Sequence, residues 1–144
     1  MAFEIVYETE FAAAHAIVLP DGSLEPVHGH NWSVAVTVAA DTLDAIETVM
    51  DFHDLERIVR GITAEWHNKH LNECAPFVSA DHGNDGALHR HGLAISPTAE
   101  RVAEHIGKTT AAGLPGHVCL VSAAVGEAPG CIARYRPDTH DSTQ

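Results

Sequence analysis

The chain has 144 residues, 45% hydrophobic and 19% charged, a composition expected of one globular domain with a core of its own. No run of about 18 apolar residues is present, which argues against a transmembrane helix; Met1-Ala2-Phe3-Glu4-Ile5 lacks the basic and apolar regions of a signal peptide, so a cytoplasmic protein is expected. The net charge of −12 argues against nucleic acid or an anionic membrane as partner, because phosphate surfaces attract basic proteins, while leaving room for a phosphorylated small substrate in a local basic pocket.

Residues 3–14 read as a strand, with Phe3, Ile5, Tyr7 and Phe11 on one face and His15 following Ala12-Ala13-Ala14. A turn is predicted at Leu19-Pro20-Asp21-Gly22-Ser23. Residues 30–40, rich in β-branched side chains, resume as a strand, so the two segments form a long antiparallel hairpin. His28-Gly29-His30 stands at the entrance of this second strand. Residues two apart share a strand face, so His28 and His30 project together, and pairing could bring His15 to them. Three histidines with one open position are what a catalytic zinc requires. The competing reading is a pair of surface histidines at a turn.

Asp51 is a candidate N-cap for a helix whose apolar stripe runs through Leu55, Ile58, Val59, Ile62 and Trp66, ending near His67–Asn72. Residues 73–96 form a long polar connection, in which His82, His89 and His91 read as solvated histidines rather than a second metal site. Ser96 caps the next predicted helix, with Pro97 in its first position and Ala99, Val102, Ala103, Ile106 and Thr110 facing inward, until Gly113 and Pro115 stop it. Strands follow at 117–126 and 131–135 around a Pro129-Gly130 turn, then a polar tail from Pro137; residues 1–136 are expected to be one domain and 137–144 the tail. Cys74, Cys119 and Cys131 form no CxxC and read as reduced thiols.

Six pieces in order resemble the family of 6-pyruvoyl-tetrahydropterin and 6-carboxytetrahydropterin synthases: Phe11–His15, His28–Trp32, Asp51-Phe52, Leu71-Asn72, Pro97–Glu100, and Glu127 ahead of Ala133-Arg134-Tyr135. The resemblance covers roughly residues 3–136. It implies an α+β tunnelling (T) fold: a four-stranded antiparallel sheet with two helices on one face, in the order ββααββ. Three such subunits would close a barrel, two trimers would stack into a homohexamer, and the active sites would lie between subunits. His15, His28 and His30 would hold Zn2+ against the side-chain hydroxyls of a dihydropterin. Glu127 would anchor the pterin ring, with Thr98 as a second ring contact or simply a helix-start hydroxyl. Arg134 and Lys69 are candidate phosphate contacts.

The chain departs from this family's pattern where acid–base chemistry is expected. Synthases of the family carry a cysteine shortly before HGH and an Asp-His pair before Leu-Asn; here the first stretch is Ser23-Leu24-Glu25-Pro26-Val27 and the second holds His67-Asn68. Glu25 is the candidate substitute for the cysteine, and His67 or His70 a second proton-transfer group. The Glu-x-x-His-Gly-His pattern resembles the branch that cleaves the dihydroneopterin side chain to 6-hydroxymethyl-dihydropterin, a folate precursor. The expectation is therefore a zinc-dependent lyase. The alternatives are 6-carboxytetrahydropterin or 6-pyruvoyl-tetrahydropterin synthase activity (queuosine/deazapurine or biopterin-type pathways), or a non-catalytic pterin-binding homologue.

Overall fold

The structure, a computed structural model, describes residues 1–80 and 86–138. Strand β1 (Phe3–His15) and strand β2 (His28–Ala40) form a hairpin in one unbroken antiparallel register, from Phe3 opposite Ala40 to His15 opposite His28. Helix α1 (Phe52–Thr63) follows, then a two-residue strand β3 (Lys69–His70), a 3-10 turn at Leu71–Glu73, the short helix α2 (Gly86–Arg90), helix α3 (Ala99–Ala112), and strands β4 (Cys119–Ala128) and β5 (Cys131–Tyr135). The sheet order is β3-β1-β2-β4-β5.

The α+β class and the ββααββ backbone are as expected, but the sheet has a fifth strand. Asn68 adopts a left-handed φ of 61°, which swings the chain alongside β1 so that Lys69 and His70 pair in parallel with Ala13 and Ala14. Two residues carry no strand pattern, so this addition could not be read from the sequence. Two boundaries also move. Helix α1 stops at Thr63, and Trp66 is buried from the turns beyond it rather than from the helix. The N-cap of α3 is Thr98, whose Oγ1 accepts from the Arg101 N–H at 3.2 Å, rather than Ser96.

Alternation sorts the sheet into two faces. Phe11, Ala13 and His15 of β1, with Trp32, Val34, Val36 and Val38 of β2, are buried against Leu55, Val59 and Ile62 of α1 and Val102, Ala103 and Ile106 of α3. The opposite face of β1 exposes Glu4, Glu8 and Glu10. Asp51 caps α1 through its carboxylate, which accepts from the His53 N–H at 2.7 Å. On α3, Gly107 lets the helix close on β5, since a Cβ there would stand 2.5 Å from Tyr135 Cδ1. An aromatic series extends along the core from Trp32 through Phe11 and Trp66 to Phe77, with neighbouring ring centroids 5.6–5.8 Å apart. Both indole N–H groups are satisfied, by the carbonyls of Ala13 and Ala75. The upper end of this series, Trp32, is the platform of the site.

Candidate metal centre

The hairpin register brings three histidines together. His15 ends β1 directly opposite His28, and His30 lies two residues further on the same face of β2. Ring centroids are 4.7 Å apart for His15–His28, 5.2 Å for His15–His30 and 4.7 Å for His28–His30. One ring nitrogen from each lies within 4.8 Å of the others. Trp32 lies beneath, 4.9 Å from His15 and 5.8 Å from His30.

Backbone carbonyls set the tautomers. His15 Nδ1 is 2.7 Å from the Pro97 carbonyl oxygen and His28 Nδ1 is 3.0 Å from that of Pro26. A carbonyl only accepts, so each Nδ1 carries the hydrogen and each neutral ring keeps its Nε2 lone pair for another partner. Burial lowers the His15 pKa below its usual 6.5, against opposing pulls from the Pro97 carbonyl and the Glu127 carboxylate. His15 Nε2 and His30 Nε2 are buried without a hydrogen-bond partner among the described residues. Glu127 Oε1 comes within 3.1 Å of His15 Nε2, but off the line of a hydrogen bond. Buried acceptors left unpaired are costly in a folded protein. Converging imidazoles, two of them with Nδ1 held by a carbonyl, therefore fit a divalent metal, and nitrogen donors of this kind suit zinc.

Glu25 lies at the edge of this cluster. Its carboxylate is largely buried, with 21% exposure, and Oε1 lies 3.8 Å from His28 Nδ1. The same oxygen accepts from the Ile17 N–H at 3.1 Å, and the Glu25 N–H returns a bond to the Ile17 carbonyl at 3.0 Å. These bonds pin the 17–25 loop beside the histidines. Glu127 projects from the inward face of β4, since the neighbouring pair Ser33–Gly126 sets Trp32 opposite it. Thr98 and Glu127 share an open cleft of about 340 Å³ with Ile17 and Ala133. The Thr98 oxygen caps α3 and its hydroxyl hydrogen remains free to donate, so the capping role and a ligand contact are compatible.

The other sequence candidates are outside the histidine trio's ligand set. His67 Nδ1 accepts from the Ala12 N–H at 3.1 Å, and His70 Nδ1 caps the 3-10 turn by accepting from the Asn72 N–H at 3.2 Å. Arg134 lies on the outward face of the sheet, along a concavity shared with Glu8 and Glu10. His89 is exposed on α2, and His91 Nε2 bonds to the Gly22 carbonyl at 2.9 Å; His82 lies outside the described residues, as do residues 139–144 of the expected tail. Two contributors belong to the motif pieces Pro97–Glu100 and Leu71-Asn72, but the sequence assigns neither a role at the histidines. Pro97 acts through its carbonyl. Asn72 clamps Ala16, next to His15: Oδ1 accepts from its N–H at 3.0 Å and Nδ2 donates to its carbonyl at 2.8 Å.

Comparison with known proteins fits this geometry. A sequence profile of the 6-pyruvoyl tetrahydropterin synthase family matches residues 4–138. The 6-carboxy-5,6,7,8-tetrahydropterin synthase of Bacillus subtilis is 31% identical over 140 residues, covering 94% of this chain and 86% of that protein. The dihydroneopterin monophosphate aldolase of Pyrococcus furiosus is 29% identical over 120 residues, covering 83% of this chain and 85% of that one. The fold superimposes on 6-pyruvoyl tetrahydropterin synthase from Caenorhabditis elegans with a TM-score of 0.70 at 15% identity, covering 94% of this chain and 96% of that one. The Plasmodium vivax enzyme gives 0.70 at 18% identity, covering 94% and 98%. The chain therefore belongs to the 6-pyruvoyl tetrahydropterin synthase family.

Proposed function

We propose that the protein is a zinc-dependent lyase that cleaves the side chain of 7,8-dihydroneopterin, or of its phosphate esters, to 6-hydroxymethyl-7,8-dihydropterin. The observation that carries this reading is a carboxylate, Glu25, whose Oε1 is held 3.8 Å from His28 Nδ1 in the loop ahead of His28-Gly29-His30. Similarity to the Pyrococcus aldolase supports it.

His15, His28 and His30 would hold the metal. When bound, such an ion supplies a Lewis acid that lowers the pKa of a substrate hydroxyl. Glu127 accepts paired N–H groups from the pterin ring edge, with Thr98 donating beside it; a carboxylate suits that two-donor edge. Glu25 removes the proton from the second side-chain hydroxyl. Its Oε1 is occupied by Ile17, and Oε2 makes no hydrogen bond among the described residues. The O–H electrons form the new carbonyl, the bond between the first and second side-chain carbons breaks, and the pterin ring takes up that electron pair. The aldehyde fragment leaves and a proton returns to the first carbon. His67 and His70 hold backbone N–H groups through Nδ1, so in this reading the second proton-transfer group is Nε2 of one or the other.

The test is mass spectrometry of products from zinc-loaded protein given dihydroneopterin, its monophosphate and its triphosphate. Formation of 6-hydroxymethyl-dihydropterin from at least one supports the reading; its absence from all three refutes it. Similarity to the Bacillus synthase favours a second reading, 6-carboxytetrahydropterin synthesis, whose product keeps a different side-chain carbon count and is distinguished in the same run.

A further inference from the structure

The segment that carries Glu25 is a small hairpin closed on itself between β1 and β2. At its base, Ile17 and Glu25 exchange the two bonds described above, and Val18 bridges Leu24. Further out, the Leu19 N–H donates to the Ser23 carbonyl at 2.7 Å and the Gly22 N–H to the Leu19 carbonyl at 2.8 Å. So braced, residues 17–25 move as one body. Among the described residues, a single hydrogen bond joins this body to the chain outside it: His91 Nε2 lies 2.9 Å from the Gly22 carbonyl at the tip. A carbonyl only accepts, so Nε2 carries the hydrogen and donates it.

His91 is itself fixed to the core. Its N–H and that of Leu93 both donate to the Leu88 carbonyl, at 3.1 and 2.8 Å, and Leu93 is fully buried. Val78 bridges Leu93, and the Ala94 N–H donates to the carbonyl of buried Phe77 at 2.8 Å. Helix α2 comes this close to the tip because Gly22 has no side chain. A Cβ there would stand 3.0 Å from the Arg90 guanidinium and 3.7 Å from Ala87 Cβ, and its φ of 85° favours glycine.

We propose that His91 is a positioning residue for Glu25: its bond to Gly22 sets the orientation of the 17–25 hairpin and through it the place of the carboxylate beside the histidine trio. The inference rests on the lyase reading, in which Glu25 is the base. The Ile17 bonds hold the base of the hairpin, but no hydrogen bond runs from Glu25 to the trio, since Oε1 is 3.8 Å from His28 Nδ1. The tilt of the hairpin therefore decides where the carboxylate stands, and the tip is where that tilt is fixed. With the tip released, the body pivots about its base and carries Glu25 with it. A misplacement on the order of 1 Å at a reacting group costs up to about 10²-fold in rate.

The experiment measures hydrogen exchange and steady-state turnover of dihydroneopterin and its phosphate esters on zinc-loaded wild type and His91 variants. His91→Leu and His91→Ala remove the donor, whereas His91→Gln presents an amide N–H near the place of Nε2. Amides of residues 17–25 should exchange faster in the Leu and Ala variants, with exchange in β1 and β2 unchanged, and return to the wild-type rate in His91→Gln. In the same two variants kcat should fall about 10–100-fold with KM nearly constant, because Glu127 and Thr98 are untouched, and His91→Gln should restore it. Adding His91→Leu to Glu25→Gln should cost nothing beyond Glu25→Gln alone, as two residues acting through one group are not additive. Unchanged exchange at 17–25, unchanged kcat, or additive losses in the double variant would overturn the positioning role while leaving the lyase reading standing. A wild type that cleaves none of the substrates overturns the lyase reading and this role for His91 with it.

Discussion

The Asn72 clamp on Ala16 ties the end of β1 to the segment after β3, and its removal gives the sharpest test of how the site is held. Ala16 is fully buried, and the Asn72 amide satisfies both its N–H and its carbonyl, at 3.0 and 2.8 Å. Asn72→Ala removes both partners and leaves two backbone groups unpaired. Each loss costs about 1–3 kcal/mol when no water replaces the partner, so the substitution should destabilise by roughly 2–6 kcal/mol. Equilibrium urea unfolding reads this as a shift in midpoint at constant slope. Because Ala16 follows His15, metal affinity should also fall about 10–100-fold, the range for loss of a group that orients a ligand. Chelator competition measures it. Asn72→Asp keeps an acceptor for the Ala16 N–H but sets a carboxylate against the carbonyl, so it should not rescue. A loss of stability below about 0.5 kcal/mol in Asn72→Ala, the scale of an ordinary surface change, would refute the reasoning.

Three further outcomes are expected. The purified protein should bind a divalent metal through the histidine trio, and His30→Ala should release it to a chelator that leaves wild type loaded; equal retention would exclude His30 as a ligand. Glu25→Gln preserves an oxygen for the Ile17 N–H but cannot take a proton, so turnover should fall about 10²–10⁴-fold while pterin binding remains; full turnover would end its role as base. His105, desolvated beside Trp66 with its ring 5.3 Å away, has its pKa lowered from 6.5 by burial, against the opposing charge of Glu65. Its neutral form is the folded one, so as pH falls below about 6.5 the unfolded chain takes up a proton that the folded chain resists, and stability declines. His105→Gln should flatten thermal unfolding between pH 7 and pH 5 relative to wild type; an identical pH profile would remove His105 from the acid response.

Periodic features could be read from the sequence and local choices could not. The alternation in β1 and β2, the Asp51 cap and the inward stripe of α3 follow from side-chain spacing alone, and the structure has them all. The sequence reading gives the cap of α3 to Ser96, although Thr98 is an equally good capping type. Thr98 takes it, and the Pro97 carbonyl just ahead points instead at His15. That same carbonyl explains what the site reading lacked. His15, His28 and His30 have ligand chemistry visible in their side chains, whereas the groups fixing their tautomers are main-chain oxygens that any residue provides. The β3 addition and the αL turn at Asn68 are set by tertiary contact with β1, for which no local pattern exists.

The unbroken register of the hairpin carries one more consequence. Opposite pairs from Phe3–Ala40 to His15–His28 lock Trp32, Val34 and Val36 into the core by the same alternation that aims His28 and His30 at His15. A slip of one residue would turn the hydrophobic set of β2 outward and send both histidines to the far face together. Burial of the β2 core face and convergence of the three histidines therefore depend on one and the same register.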